Sequence, residues 1–155
     1  MRLAAAVSFV ALVQVCPAGR RVETQEPAGR SPSNQSPDDW NITFRVSGGF
    51  AGISRVLTVA STGSVDATDQ RRGAHVAGRL APADRVEVET ALAQLKSSEL
   101  RRNAACRDCF QYDIDVRLRD RRMEFHVDSA AVDVTDVNAL VKALSVVLSR
   151  ILASH

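Results

Sequence analysis

From Trp40 onward the chain carries a regular alternation. Trp40, Ile42, Phe44 and Val46 are apolar, and Asn41, Thr43, Arg45 and Ser47 between them are polar. This is the two-residue period of a strand with one buried face. Ile53, Leu57 and Val59 predict the return strand, and the pair reads as a β-hairpin. Residues 61–79 are polar and carry Gly63, Gly73 and Gly78, which predicts a long exposed loop. Pro82 then opens a predicted helix whose apolar stripe is Val88, Ala91, Leu92 and Leu95.

The second half repeats this logic with sharper contrast. Phe110, Tyr112, Ile114, Val116 and Leu118 alternate without a fault with Gln111, Asp113, Asp115 and Arg117. Arg119-Asp120-Arg121 supplies a turn, and Met123, Phe125 and Val127 continue the apolar face on a return strand. Val137, Leu140, Val141, Leu144, Val147, Leu148 and Ile151 recur at helical spacing, with Thr135 or Asp136 as the N-cap. The predicted order is ββαββα. A single antiparallel sheet with both helices packed on one face buries every apolar stripe, so the expected fold class is α+β. Residues 40–153 are enough for such a core without disulfides.

The N-terminal part has a different character. Arg2 precedes Leu3–Val15, an uncharged and mainly apolar run. It is short for a bilayer span and suited to the core of a signal peptide covering residues 1–18, with Cys16 and Ala18 as the small residues before the cut. A lipid anchor on Cys16 is the weaker expectation, because Gln14 and Val15 are poor neighbours for that chemistry. Four of the five prolines (Pro17, Pro27, Pro32 and Pro37) precede Trp40. Residues 19–39 have too few apolar side chains to offset their ordering entropy, so they read as a disordered Pro/Ser-rich linker. The expected location is secreted or periplasmic, with no integral membrane span in the mature chain.

Charge and candidate chemistry narrow the function classes. Twenty basic and 18 acidic residues leave a net charge of +2, which gives no case for a nucleic-acid partner. Cys106-Arg-Asp-Cys109 has metal or redox spacing, but a zinc site needs about four ligands and no second pair exists. A local disulfide or two unlinked thiols both fit an exported chain. His75, His126 and His155 are scattered and assemble no triad or metal set. Asp113 and Asp115 share one strand's solvent face, where Arg117 or Arg122 can pair with them. Arg117, Arg119, Arg121 and Arg122 are interleaved with Asp120 and Glu124, the pattern of a mutually paired surface. No catalytic set, cofactor fingerprint or phosphate loop occurs, so the expectation is a binding protein, not an enzyme.

The most specific stretch joins the first two strands: Ser47-Gly48-Gly49-Phe50-Ala51-Gly52-Ile53-Ser54-Arg55. Three glycines in five residues let the backbone turn tightly and approach another surface closely. Phe50 at its centre is either the folded-back cap of the chain's own core or an anchor for a partner's pocket.

The run Ile42-Thr-Phe-Arg-Val-Ser-Gly-Gly-Phe-Ala-Gly-Ile-Ser-Arg55 resembles the N-terminal signature of the emfourin family, small proteinaceous inhibitors of thermolysin-like zinc metallopeptidases such as protealysin. Asp108-Cys-Phe-Gln-Tyr-Asp-Ile-Asp-Val116 is similar to the family's Asp-x-Phe-x-Tyr strand, and the Leu/Val-rich C-terminal helix completes a likeness over Trp40–Leu152. The resemblance implies reversible, tight binding over the active-site cleft of a thermolysin-like metallopeptidase. It implies a contacting surface that includes Ser47, Gly48, Gly49, Phe50, Ala51, Gly52, Ile53, Ser54 and Arg55, with Phe50 as apolar anchor and Ser47 and Arg55 at a polar rim. It calls for no cofactor and no catalytic or metal-binding residue. The glycines also have a purely structural reading, as requirements of the turn. A non-inhibitory cell-envelope binding or assembly module is the alternative function.

Overall fold

The alternating runs pair as their periods require. In the computed structural model, which describes residues 39–96, 99–102 and 106–154, β1 (Trp40–Gly48) is the centre of a seven-stranded sheet. It pairs antiparallel with β2 (Ile53–Ala60) on one side and β6 (Phe110–Leu118) on the other. The register sets Phe44 between Leu57 and Ile114, and Ile42 between Val59 and Val116. These six side chains are buried on one face. β7 (Arg122–Asp128) adds Met123, Phe125 and Val127 to the same face. Leu118 donates its N–H to the carbonyl of Arg121 at 2.8 Å, closing the turn expected at residues 119–121. Phe44 and Tyr112 stack across the β1–β6 ladder, with ring centroids 6.0 Å apart.

Three expectations are corrected. Residues 61–79 form not a long loop but a second hairpin, β3 (Ser64–Asp69) and β4 (Ala74–Arg79). Val65 and Ala67 bury themselves opposite Val59 and Leu57, while Asp66 and Thr68 take the other face. Gly63 and Gly73 stand in the turns, not in a loop. The sheet is also not purely antiparallel, because β5 (Glu99–Arg102) pairs parallel with β7. The sheet order is β4-β3-β2-β1-β6-β7-β5, so the chain runs ββββαβββα rather than ββαββα. β5 escapes a periodicity reading because four residues with one apolar side chain, Leu100, carry no period.

Both helices lie over the buried face. α1 (Pro82–Ala93) contributes Val88 and Ala91 to the core, and α2 (Asn138–Ala153) contributes Leu140, Val141, Leu144, Val147 and Leu148. The third correction is the start of α2, where Val137 stands at the N-cap and no side chain caps the helix. Thr135 instead donates its hydroxyl to the carbonyl of Val132, and Asp136 accepts the N–H of Lys96 at 3.0 Å. The two helices are joined by an ion pair between Arg150 and the buried carboxylate of Asp84.

The expected signal peptide (residues 1–18, with Cys16) and residues 19–38 of the expected linker lie outside the described residues, as does His155. Asp39, the last residue of that expected linker, accepts the hydroxyl of Ser61 at 2.8 Å. Among the described residues, no helix is long and apolar enough to cross a membrane.

Candidate functional site

The β1–β2 connection is built by its glycines. Gly49, Phe50, Ala51 and Gly52 form a four-residue turn in which Gly52 donates its N–H to the carbonyl of Gly49 at 2.9 Å. Gly48, Gly49 and Gly52 have φ of 90°, 68° and 56°, backbone that other residues adopt only with strain. Space decides at the first two as well. A Cβ on Gly48 would lie 2.7 Å from the carbonyl oxygen of Cys109, and one on Gly49 would lie 2.4 Å from the ring of Phe110. Phe50, at the second position of this turn, does not fold back onto the core and is 98% exposed.

Two neighbouring segments brace the tip. On the β6 side, Cys109 accepts the N–H of Gly49 at 3.2 Å, one step beyond the β1–β6 ladder. Phe110 is itself pinned, since its carbonyl accepts the N–H of Ser129 at 2.9 Å and its own N–H reaches the Ser129 hydroxyl at 3.3 Å. On the β2 side, Arg71 in the β3–β4 turn donates from Nη1 to the carbonyl oxygen of Ala51 at 2.6 Å. The hydroxyl of Ser54 donates to Oε1 of Gln70 at 2.7 Å, and the N–H of Gln70 reaches the carbonyl of Ser54 at 2.9 Å. The turn is therefore tied at Gly49 on one flank and at Ala51 on the other.

An ion pair with a buried carboxylate stands beneath the β3–β4 flank. Arg55 faces the helix-covered side of the sheet, in register with Val46 and Asp69. Its Nε donates to Asp69 Oδ2 at 2.9 Å, and the other carboxylate oxygen of Asp69 accepts the N–H of Arg72 at 3.2 Å. Asp69 is only 3% exposed. Burial by itself raises the pKa of its carboxyl, but the Arg55 hydrogen bond, the Arg72 N–H and the two positive charges outweigh burial and hold it below its ordinary value. Arg55 is thus engaged by Asp69, with 28% of its side chain still exposed.

The opposite face of the sheet is open and charged. Asp115 takes Arg122 at 3.1 and 2.5 Å, which together with Glu124 pushes the Arg122 guanidinium further above its ordinary value. Asp113 pairs across the ladder with His126, not with an arginine, and His75 contacts Asp66 at 2.7 Å. Among the described residues, no group of three or more His, Cys, Asp or Glu is placed to hold a metal ion.

Of the residues singled out from sequence, Ser47 to Ser54 form one continuous hairpin end. Ser47 pairs with Ser54 in the ladder, and Ile53 packs partly against the core. Cys106 and Cys109 are joined in a disulfide directly beside this end. Sequence reasoning misses Arg71, Gln70 and Asp69, because the polar, glycine-bearing segment carrying them reads as a loop. The alternation of Val65, Ala67 and Asp69 with Asp66 and Thr68 between two glycines was the signal that could have found them. It also missed Phe110 as the floor of the tip. No family model matches this chain, and no curated protein matches it.

Proposed function

We propose that this protein is an inhibitor of a thermolysin-like zinc metallopeptidase, binding reversibly and tightly over the active-site cleft through the tip Ser47–Ser54. The observation that carries this reading is Phe50, an aromatic side chain wholly in solvent on a turn held from both flanks. Water around an exposed aromatic ring is unfavourable, and burying the ring in a partner's apolar pocket recovers about 2–3 kcal/mol. A turn already tied at Gly49 and Ala51 loses little conformational freedom on docking, so more of that gain survives as affinity. The glycine-framed sequence that resembles emfourin is the same segment that presents Phe50. Export belongs to the reading, with residues 1–18 as the signal peptide and the secreted or periplasmic space as the place of action.

The test is a titration of a thermolysin-like peptidase with the purified protein. Hydrolysis should fall to zero near an equimolar ratio. Full activity at excess protein, across several such peptidases, overturns the proposal and leaves a non-inhibitory binding module.

A further inference from the structure

The Cys106–Cys109 disulfide has no part in the core, yet it closes the segment on which the tip rests. Cys109 lies just before β6, outside the ladder, and it is the residue whose carbonyl receives the Gly49 N–H. That same carbonyl sets the close approach at Gly48, and the next residue, Phe110, lies against Gly49. The path from the disulfide to the base of the Phe50 turn is thus one hydrogen bond long. Cys106 is exposed and Cys109 is half-buried, which makes Cys106 the side of the disulfide from which a thiolate approaches. The ring encloses only four residues, and so short a closure removes little entropy from the unfolded chain.

We infer that this disulfide is a thiol–disulfide exchange site for a dithiol reductant, and that its redox state sets how firmly the Phe50 tip is held for its partner. The inference rests on the inhibitor reading and names a regulation of that same site. The chemistry balances as follows. A reductant thiolate attacks the Cys106 sulfur, forming a mixed disulfide and releasing the Cys109 thiolate. The reductant's second thiolate then attacks its own sulfur in that mixed disulfide, releasing the Cys106 thiolate and leaving the reductant as a cyclic disulfide. Two electrons pass to the protein, and the two cysteine thiolates take up protons. With the ring open, residues 106–109 lose the cross-link, and the Cys109 carbonyl that accepts the Gly49 N–H is held only from its β6 side, where the Phe110 N–H of the same peptide group meets the Ser129 hydroxyl. The fold does not depend on the link, because the buried cluster is made by the sheet and the two helices. A chain passing from a reducing to an oxidising compartment would acquire its full inhibitory strength only on arrival.

The test compares three forms against one thermolysin-like peptidase: the oxidised protein, the same protein reduced with dithiothreitol and desalted without oxygen, and the double variant Cys106→Ser/Cys109→Ser. Desalting keeps free thiols away from the peptidase's zinc. Both forms lacking the disulfide should inhibit about fivefold or more weakly than the oxidised form, a difference of roughly 1 kcal/mol. Hydrogen exchange at the Gly49 amide should quicken in both, with a cooperative thermal transition retained. Equal inhibition by all three forms overturns the redox inference and leaves the inhibitor reading standing. Loss of the cooperative transition in both forms also overturns it, because the link would then hold the whole fold. An oxidised protein that does not inhibit overturns the inhibitor reading and this inference with it.

Discussion

Arg71 donates from its guanidinium to the carbonyl oxygen of Ala51 at 2.6 Å, fastening the β3–β4 turn to the tip of the β1–β2 hairpin. Both groups are at the surface, so the bond contributes little to folding and much to the position of the turn between Gly49 and Gly52. Arg71→Ala should leave stability within about 0.5 kcal/mol of the parent protein, as surface substitutions do. It should weaken inhibition roughly three- to tenfold, the equivalent of one solvent-exposed hydrogen bond of about 1 kcal/mol. Denaturant titration and an inhibition constant measured on the same preparation check both halves.

Phe50→Ala separates binding from folding. A side chain 98% exposed makes no contribution to the core, so the thermal midpoint should not move. Losing about 2–3 kcal/mol of pocket burial should weaken inhibition roughly 30- to 150-fold. An unchanged inhibition constant would remove Phe50 from the contacting surface.

The glycines of the tip should differ in cost. Gly52 has positive φ but open space around its missing Cβ, so Gly52→Ala should cost about 1–2 kcal/mol of backbone strain alone. Gly48→Ala adds a collision with the Cys109 carbonyl, a backbone atom that cannot swing aside, and should cost more than Gly52→Ala. Gly49→Val meets the Phe110 ring, which is a third exposed and can turn outward, so its damage should appear in inhibition as well as in stability. Urea unfolding of the three variants gives the ranking, and a Gly52→Ala cost equal to that of Gly48→Ala would contradict it.

Acid should loosen the flank that carries Arg71. Asp69 has its folded-state pKa below the unfolded value, so its contribution to stability is fully present above that unfolded value, about pH 4, and is lost as pH falls through the lowered folded value. Asp69→Asn should be less stable than the parent at pH 7, because Arg55 and the Arg72 N–H lose a charged acceptor. The difference should shrink toward zero as pH falls through the lowered folded-state value. Paired urea titrations across this range measure it, and a gap that persists in acid would show that Asp69 acts by shape rather than charge.

The alternation of Trp40 to Val46 and of Phe110 to Leu118, and the helical stripes beginning at Val88 and Val137, are properties of the chain that any buried face would impose. They were sufficient for the central strands, both helices and the α+β class. The glycine-framed Phe50 was likewise visible, because three glycines in five residues are informative without knowledge of their neighbours. The β3–β4 hairpin was obscured because its buried face is made of small side chains, Val65 and Ala67, and ends in a carboxylate, Asp69. β5 was hidden because its parallel partner β7 lies beyond the whole of β6, and sequence adjacency says nothing about such a pairing.

Sequence by itself therefore determined the central sheet, the two covering helices and the existence of a tight turn bearing Phe50, since these depend on local period and local backbone freedom. Tertiary structure decided that Phe50 faces solvent, that Arg55 turns inward to Asp69, and that Arg71 and Cys109 clasp the turn from opposite sides. Those outcomes depend on which strands become neighbours, and residues 14 to 60 positions apart in the chain come into contact only when burial of the shared core brings their strands side by side.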